Sequence, residues 1–194
     1  MLEAACRQVR DWQRQYPAAA KLSVAVNLSA RQFQHPRLVG DIGRALREAD
    51  LAPQQLKLEI TESVAMHDAD STARTLDRLK VLGIKVAIDD FGTGYSSLSY
   101  LKRFPVDALK IDRSFVDGLG DDSQDTAIVQ SIVALARSLG VGVTGEGIET
   151  RKQWQHLAAS GCQRGQGYYF SEPVAADELA TLLARAEPAL PLAA

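Results

Sequence analysis

The sequence has few cysteines, and the two it contains, Cys6 and Cys162, lie far apart and outside any CxxC pair. This spacing excludes a disulfide framework and is typical of proteins from a reducing compartment, so we interpret both as ordinary core residues. Long apolar runs are also missing, because no stretch approaches the roughly 20 residues that a membrane helix needs. The N-terminus lacks the basic start and apolar centre of a signal peptide. We therefore expect a cytoplasmic protein, or a cytoplasmic part of a larger one.

Net charge is scarce as well, since 22 basic and 24 acidic side chains leave a formal charge of -2. This balance gives no reason to expect broad binding to nucleic acid polymers or to acidic membranes, so an anionic ligand would need a local site. What the sequence does have is 194 residues, of which 46% are hydrophobic and 24% charged. That is enough for one sizeable core and is typical of a single globular domain.

After an amphipathic helix over residues 2–16, short apolar segments alternate with helical patterns along the whole chain. Strict alternation of this kind predicts a parallel sheet covered by helices. The strands are predicted over 22–27, 56–61, 84–89, 107–112, 141–146 and 165–170. The helices that follow them are predicted over 37–49, 65–82, 95–103, 123–139, 150–160 and 176–186.

Each predicted strand has branched apolar residues on one face and small or polar residues on the other. In the second strand, Leu58 and Ile60 alternate with Lys57 and Glu59. A doubly wound sheet needs apolar residues on both faces of its central strands, whereas a closed (β/α)8 barrel collects polar residues at its mouth. We therefore predict the α/β class and a TIM-like barrel. Six visible βα units imply an incomplete barrel whose first two strands would precede this chain.

The most distinctive stretch is the end of the third strand, where Asp89 and Asp90 precede a loop that contains Gly92 and Gly94. Adjacent carboxylates repel one another and are costly to desolvate, so this pair at a strand tip suggests a bound cation. The alternative is a solvated turn in which one of the aspartates caps the next helix.

Polar side chains end the other strands too, on the same predicted face. Carboxylates and carboxamides without histidine or cysteine favour Mg²⁺ or Mn²⁺ over zinc. A lysine among them could hold a phosphate or position an attacking water, so the set suits phosphodiester hydrolysis. The candidates are Asn27, Glu59, Asp89, Asp90, Lys110, Glu146 and Gln166.

Any one of these residues could instead be a buried hydrogen-bonded group or a helix cap, and Lys110 could form a structural ion pair with Asp112. Polar ends on all six strands favour a functional interpretation. The histidines lie outside this face, and we expect His35, His67 and His156 in loops or on helix surfaces.

Six motifs occur in a fixed order along the chain, at 26–33, 59–63, 89–98, 109–115, 145–150 and 166–170. The runs DDFGTGYSSL and LKIDRSFV among them are very specific. Together the motifs resemble the EAL family of bacterial cyclic di-GMP phosphodiesterases, over residues 1 to about 186. The resemblance implies a domain over residues 1–187, followed by a disordered tail over 188–194.

This resemblance implies a barrel that hydrolyses cyclic di-GMP to linear pGpG with two Mg²⁺ or Mn²⁺ ions. The residues that match the family's ligands for one metal are Asn27, Glu59 and Asp89. By the same match, Asp89 would bridge to a second metal that Asp90 binds.

The resemblance also assigns roles to residues around the metals. Lys110 matches a lysine that contacts the nucleophilic water, Glu146 a further acidic metal-site residue, and Gln166 a glutamine that orders the water and metal surroundings. Glu62 matches a glutamate that braces the loop after Asp90, and Glu149 a residue that lies behind the direct metal ligands. That loop, residues 91–98, is associated in the family with dimerisation, so the resemblance implies a homodimer.

The chain departs from the family pattern at several points. The namesake Glu-Ala-Leu segment, which carries a metal-binding glutamate and a phosphate-binding basic residue, is absent from this sequence and would belong to the two preceding strands. Gln163 stands where the family commonly has Asp, Gly145 where Ala is usual, and Glu172 where a basic residue is usual. Of these three, Glu172 would most directly weaken ligand affinity.

Two other functions stay open. Loss of one metal ligand and one phosphate contact could leave a cyclic di-GMP receptor or regulatory module without turnover. A more distant alternative is a barrel enzyme that acts on a carboxylate substrate through Mg²⁺ and Lys110. Sensory or cyclase domains could precede the domain in a longer parent. Because an open barrel exposes the edges of strands 22–27 and 165–170, we also expect reduced stability or self-association.

Overall fold

The computed structural model describes residues 1–94 and 98–185, and these residues form six strands and ten α-helices. The start of the helix predicted over 95–103, the domain boundary at 187 and the tail over 188–194 lie outside the described residues. The strands are β1 (Val24–Asn27), β2 (Leu56–Thr61), β3 (Lys85–Phe91), β4 (Ala108–Ile111), β5 (Gly142–Gly145) and β6 (Arg164–Gly165). The helices are α1 (Leu2–Gln15), α2 (Ala30–Phe33), α3 (Leu38–Ala49), α4 (Glu62–His67), α5 (Ala69–Val81), α6 (Leu98–Leu101), α7 (Arg113–Asp117), α8 (Ser123–Leu139), α9 (Arg151–Ser160) and α10 (Ala176–Arg185).

All six strands belong to one parallel sheet, and their order in the sheet is their order in the chain. The chain after each strand is therefore helical and returns to the amino-terminal end of the sheet, where the next strand begins. This arrangement confirms the predicted α/β class. It also places the carboxyl ends of all six strands at the same end of the sheet, where the polar residues were predicted to meet.

The core lies between the sheet and the surrounding helices. One face of the strands is closed by side chains that are at most 1% exposed, and these include Leu58, Ile60, Ile88, Leu109 and Ile111. They belong to a single apolar cluster with helical residues, among them Val9, Leu46, Leu76, Leu79, Val129 and Leu157. Both free cysteines are buried in this cluster, which confirms their interpretation as core residues.

The helix predicted over 65–82 is wrong as a single element, because it is divided into α4 and α5. Asp68 interrupts it with a non-helical backbone (φ -139°, ψ 85°). Its side chain accepts a hydrogen bond of 3.0 Å from the backbone N–H of Ser71 and so caps α5. An aspartate within an otherwise periodic pattern can start a new helix in this way.

The last strand was also predicted incorrectly, since β6 contains two residues rather than the range 165–170. After Gly165 the chain folds over Ile148. The backbone N–H of Ile148 donates to the carbonyl of Gln166, and the N–H of Tyr169 donates to the carbonyl of Ile148. A side chain at Gly167 would lie 2.2 Å from the Ile148 carbonyl oxygen, so only glycine allows this close approach.

Short helices directly after strands escaped prediction. Ser29 begins α2 with a capping box that it forms with Gln32, and Asp112 caps α7. The helix predicted over 95–103 is described as α6 alone. The other helices agree with the predictions to within a few residues, because their apolar periodicity is continuous and their ends carry clear signals.

Gly145, the last residue of β5, packs closely against the helical layer, and the structure shows what an added methyl group would meet. A Cβ atom there would lie 2.6 Å from Cδ1 of the buried Leu157. We expect Gly145→Ala to lower the free energy of unfolding by about 1–3 kcal/mol through overpacking. Urea denaturation measures this change, and Leu157→Val in the same chain should recover part of it. A Gly145→Ala chain as stable as the wild type would contradict this account of the contact.

Candidate functional site

Lys110 lies at the centre of the polar edge of the sheet. Its side chain is 4% exposed, and its Nζ atom contacts three carboxylates. The distances are 2.7 Å to Glu59 Oε2, 2.9 Å to Asp89 Oδ1 and 2.7 Å to Glu146 Oε1. An ammonium group has three N–H donors, so these contacts use its full donor capacity.

The same contacts show that the sheet is curled. Glu59 is on β2, Asp89 on β3 and Lys110 on β4, and Glu146 directly follows β5. In a flat sheet, β2 and β5 would lie about 14 Å apart, given a strand spacing of about 4.8 Å. One nitrogen atom can reach carboxylates from all these strands only on the inside of a strongly concave sheet. The chain therefore forms the predicted incomplete barrel, with its functional side chains on the inner face.

Burial and pairing act on the pKa values of this cluster in opposite directions. Burial of Lys110 works to lower its pKa, but its hydrogen bonds to Glu146, Glu59 and Asp89 prevail and raise it above the ordinary value. Burial raises the pKa of Glu146 to about 7, with a further increase from the charge of Asp89, while Lys110 opposes both. Glu146 therefore exchanges its proton near neutral pH.

Consecutive aspartates reach the same site because the end of β3 is irregular. In a regular strand, Asp89 and Asp90 would point to opposite faces of the sheet. The register between β3 and β4 shifts between Ile88 and Phe91, and Asp90 has a left-handed backbone (φ 52°). An irregularity of this kind redirects side chains at a strand end, and here it turns both carboxylates toward the mouth.

Three carboxylates come close enough to share a cation. Asp89, Asp90 and Glu146 each offer an oxygen, and these atoms lie within 4.8 Å of one another. Burial raises the pKa of Asp90, and the neighbouring charges of Asp89 and Asp112 raise it further. An all-oxygen set of this charge suits a hard divalent cation such as Mg²⁺ or Mn²⁺, and the residues present therefore fit the metals that the resemblance implies.

Asp112 is a member of the site that the sequence analysis treated only as a partner for Lys110. That ion pair does not form, because Lys110 is fully engaged by the three other carboxylates. Asp112 instead caps α7 and accepts hydrogen bonds from the N–H and hydroxyl of Ser114. Burial works to raise the pKa of Asp112, but the hydrogen bonds from Ser114 outweigh burial and hold this pKa below its ordinary value.

Glu62 connects this edge to the loop after β3. Glu62 is only 2% exposed, and its Oε2 atom accepts a 2.9 Å hydrogen bond from the backbone N–H of Gly92. The other oxygen, Oε1, has no hydrogen-bond partner among the described residues and faces the position that a Cβ would occupy at Gly94. Replacement of Gly94 by a larger residue would therefore disturb the loop.

The remaining predicted residues lie around this cluster at different depths. Asn27 is exposed at the end of β1, opposite Glu59 in the register. Gln166 is also exposed, and its backbone N–H donates to the carbonyl of Gly145, next to Glu146.

Further from the cluster, Glu149 pairs with Arg113 at 2.6 Å. The histidines lie where they were expected, because His35 follows α2 while His67 and His156 belong to α4 and α9.

Comparison with known proteins identifies the family of this chain. The EAL domain family matches residues 1–173. The chain belongs to the EAL domain family. It is 48% identical to the bifunctional diguanylate cyclase/cyclic di-GMP phosphodiesterase MucR of Pseudomonas aeruginosa over 92% of its own length and 26% of that protein. The chain therefore spans about a quarter of the length of this curated relative.

Solved EAL structures have the same fold. The PaMucR phosphodiesterase in complex with c-di-GMP superimposes with a TM-score of 0.88 and 48% identity, over 92% of this chain and 71% of that one. A manganese and cyclic di-GMP complex of Klebsiella pneumoniae BlrP1 superimposes with a TM-score of 0.77 and 36% identity, over 89% of this chain and 44% of that one. Among the described residues of the present EAL chain, no helix is both long and apolar enough to span a membrane.

Replacement of Lys110 tests its role in holding the carboxylates together. We expect Lys110→Met to lower the free energy of unfolding by about 3–5 kcal/mol in EDTA, because three buried carboxylates lose the cationic partner that pairs with each of them. Urea denaturation measures the loss, and added Mn²⁺ should restore part of it. Lys152→Met is the control, because its exposed pair with Asp121 is worth less than about 1 kcal/mol. Equal stability of Lys110→Met and the wild type in EDTA would refute this role.

The pKa of Glu146 predicts how metal affinity depends on pH. Because a carboxylate must be deprotonated to bind a cation, a pKa of about 7 makes the proton a competitor at lower pH. We expect Mn²⁺ affinity to rise by up to about tenfold per pH unit below 7 and to level off above it. Calorimetric titration between pH 5.5 and 8.5 measures this profile. Glu146→Gln should bind more weakly with a flatter profile, and a pH-independent wild-type affinity would contradict the assignment.

Proposed function

We propose that this EAL domain hydrolyses cyclic di-GMP to linear pGpG with two divalent cations. The observation that carries the proposal is the convergence of Asp89, Asp90 and Glu146 to within 4.8 Å on the inner face of the barrel. Support comes from MucR, a bifunctional diguanylate cyclase/cyclic di-GMP phosphodiesterase, and from the PaMucR phosphodiesterase structure, which is a complex with c-di-GMP. The 43% identity to the cyclic di-GMP phosphodiesterase NbdA supports the same substrate.

In this proposal, Asn27, Glu59 and Asp89 would hold one cation, and Asp89, Asp90 and Glu146 the other. Bound cations would supply Lewis-acid chemistry, which lowers the pKa of an attacking water and stabilises negative charge on the phosphodiester. The neutral carboxamide of Asn27 limits the negative charge of the site, which favours an anionic substrate.

Lys110 has two tasks in the proposed reaction. It holds the carboxylates from three elements in one geometry, and it would position the attacking water. Because its three donors are already used, it must release one carboxylate to contact water. Glu146 is the natural one to release, since its side chain is the most exposed of the three at 16% and its pKa is near 7. Its oxygens are then free for a proton or a cation.

Other residues would set the position of the reacting groups. Glu62 holds the backbone of Gly92 and so fixes the start of the loop after the paired aspartates. Gln166, beside Glu146 in the fold, would order water near the metals. We further propose that the domain works as a homodimer in the cytoplasm, joined to sensory or cyclase domains in a longer parent.

The proposal is tested by incubation of the chain with cyclic di-GMP and Mn²⁺ or Mg²⁺, with separation of pGpG by chromatography. We expect product from the wild type and a loss of at least about 100-fold for Glu59→Gln, because a metal ligand contributes no less than the groups that support it. Asp77→Asn is the control, because Asp77 is an exposed residue on the outer helix α5. Its rate should equal that of the wild type.

The alternative of a receptor without turnover gives a different result in the same samples. Calorimetry would then show binding of cyclic di-GMP that depends on Mn²⁺, while chromatography shows no pGpG. Neither binding nor product from a folded chain, as judged by circular dichroism, would refute both functions.

A further inference from the structure

A second concave region lies outside the acidic mouth, on the helical layer. It is formed by the first turn of α3, the outer face of α5 and the end of α4, and it encloses about 530 Å³. We call it the α3–α5 groove. Its apolar lining includes Phe33, Leu38 and Val64, and Phe33 and Leu38 are 6% and 8% exposed. A volume of this size falls within the range of small-molecule sites.

The groove carries net positive charge from two arginines. Arg74 and Arg78 are one helical turn apart on α5, both line the groove, and neither forms an ion pair with any described residue. Asp68 is the one carboxylate among the described lining residues, and it caps α5 through Ser71. On the same helix Asp70 is already paired, with Arg103 at 3.0 Å.

Hydrogen-bond donors lie on the rim of the same groove. The Nδ1 atom of His35 accepts a 3.3 Å hydrogen bond from the backbone N–H of Arg37. The neutral ring must therefore carry its proton on Nε2, where it can donate to a ligand. The side chains of Ser71 and Thr75 also line the groove and offer hydroxyl groups. The groove thus combines two guanidinium groups, neutral donors and an apolar floor.

This combination defines the class of ligand. Guanidinium groups bind oxyanions through paired hydrogen bonds, and their geometry matches both phosphate and carboxylate groups. An apolar floor beside them favours an anion attached to a flat or apolar body. We propose that the α3–α5 groove binds a phosphate monoester of about mononucleotide size, with its phosphate on Arg74 and Arg78 and its body against Phe33, Leu38 and Val64.

The groove is separate from the metal-binding cluster, so its occupancy does not depend on phosphodiesterase activity. The experiment is calorimetric titration of the whole chain in EDTA, which keeps divalent cations out of the acidic mouth. The probes are GMP and AMP, with guanosine and inorganic phosphate as partial ligands. We expect a mononucleotide to bind at least about tenfold more tightly than guanosine, because the phosphate contacts would contribute 1.4 kcal/mol or more.

A charge-removing variant assigns the binding to this groove. Arg74→Gln with Arg78→Gln should weaken mononucleotide affinity at least about tenfold. Arg7→Gln is the matched control, because Arg7 is an exposed arginine of α1 that forms no ion pair with any described residue. Its affinity should stay within twofold of the wild type. Circular dichroism of all variants verifies that they are folded.

Three results would overturn the proposal. These are absence of binding by both GMP and AMP at millimolar concentration, equal binding of guanosine and GMP, and unchanged affinity in the folded double variant. A second variant, Val64→Phe, separates the apolar part of the groove from the charges. It should reduce mononucleotide affinity while leaving the weaker binding of inorganic phosphate unchanged.

Discussion

The buried ammonium group of Lys110 is the interaction on which the inner edge of the sheet depends. Glu59, Asp89 and Glu146 would repel one another in a region of low dielectric if no cation lay between them. Lys110 contacts all three, and it projects from a strand near the centre of the set. The small residues Ala87 and Ala108, which lie on the same face of β3 and β4, leave room for its long side chain.

A local distortion adds the fourth carboxylate. Without the irregular register after Ile88, Asp90 would face the helices, where an unpaired charge is costly. The left-handed backbone at Asp90 costs conformational energy. The hydroxyl of Thr93 donates a 2.8 Å hydrogen bond to the carbonyl of Asp90 and helps to hold this conformation. Asp112 is also part of the site. It directly follows β4, its side chain caps α7, and its charge acts on Asp90.

The sequence predicted the parts of this structure that follow from periodicity. Alternation along β2 placed Glu59 inside and Leu58 outside, and both are found there, because side-chain direction in a strand follows directly from residue position. The alternation of side chains along a strand could not predict that both aspartates of β3 face the mouth of the barrel, because this depends on a break in that alternation. It also could not reveal which carboxylates Lys110 contacts, because sheet curvature brings together residues from non-adjacent strands.

The errors have a common physical origin in local hydrogen bonds that take backbone groups out of the regular pattern. Asp68 divides a periodic helix because its carboxylate satisfies free N–H groups at the start of α5. The turn over Ile148 ends β6 because the Gln166 carbonyl and the Tyr169 N–H both bond to the backbone of Ile148, which lies in a loop rather than in a strand. Such local competition is decided by tenths of a kilocalorie to about 2 kcal/mol, which apolar patterns do not report.

The consecutive order of the strands has a consequence for how the protein folds. Each strand pairs with its neighbour in sequence, so the sheet can grow by the addition of one βα unit at a time. Glu59 and Glu146 belong to opposite ends of a four-strand segment and meet only after every pairing between them has formed. The carboxylates that could share a divalent cation therefore come together only in the curved, assembled sheet, and not within any single element.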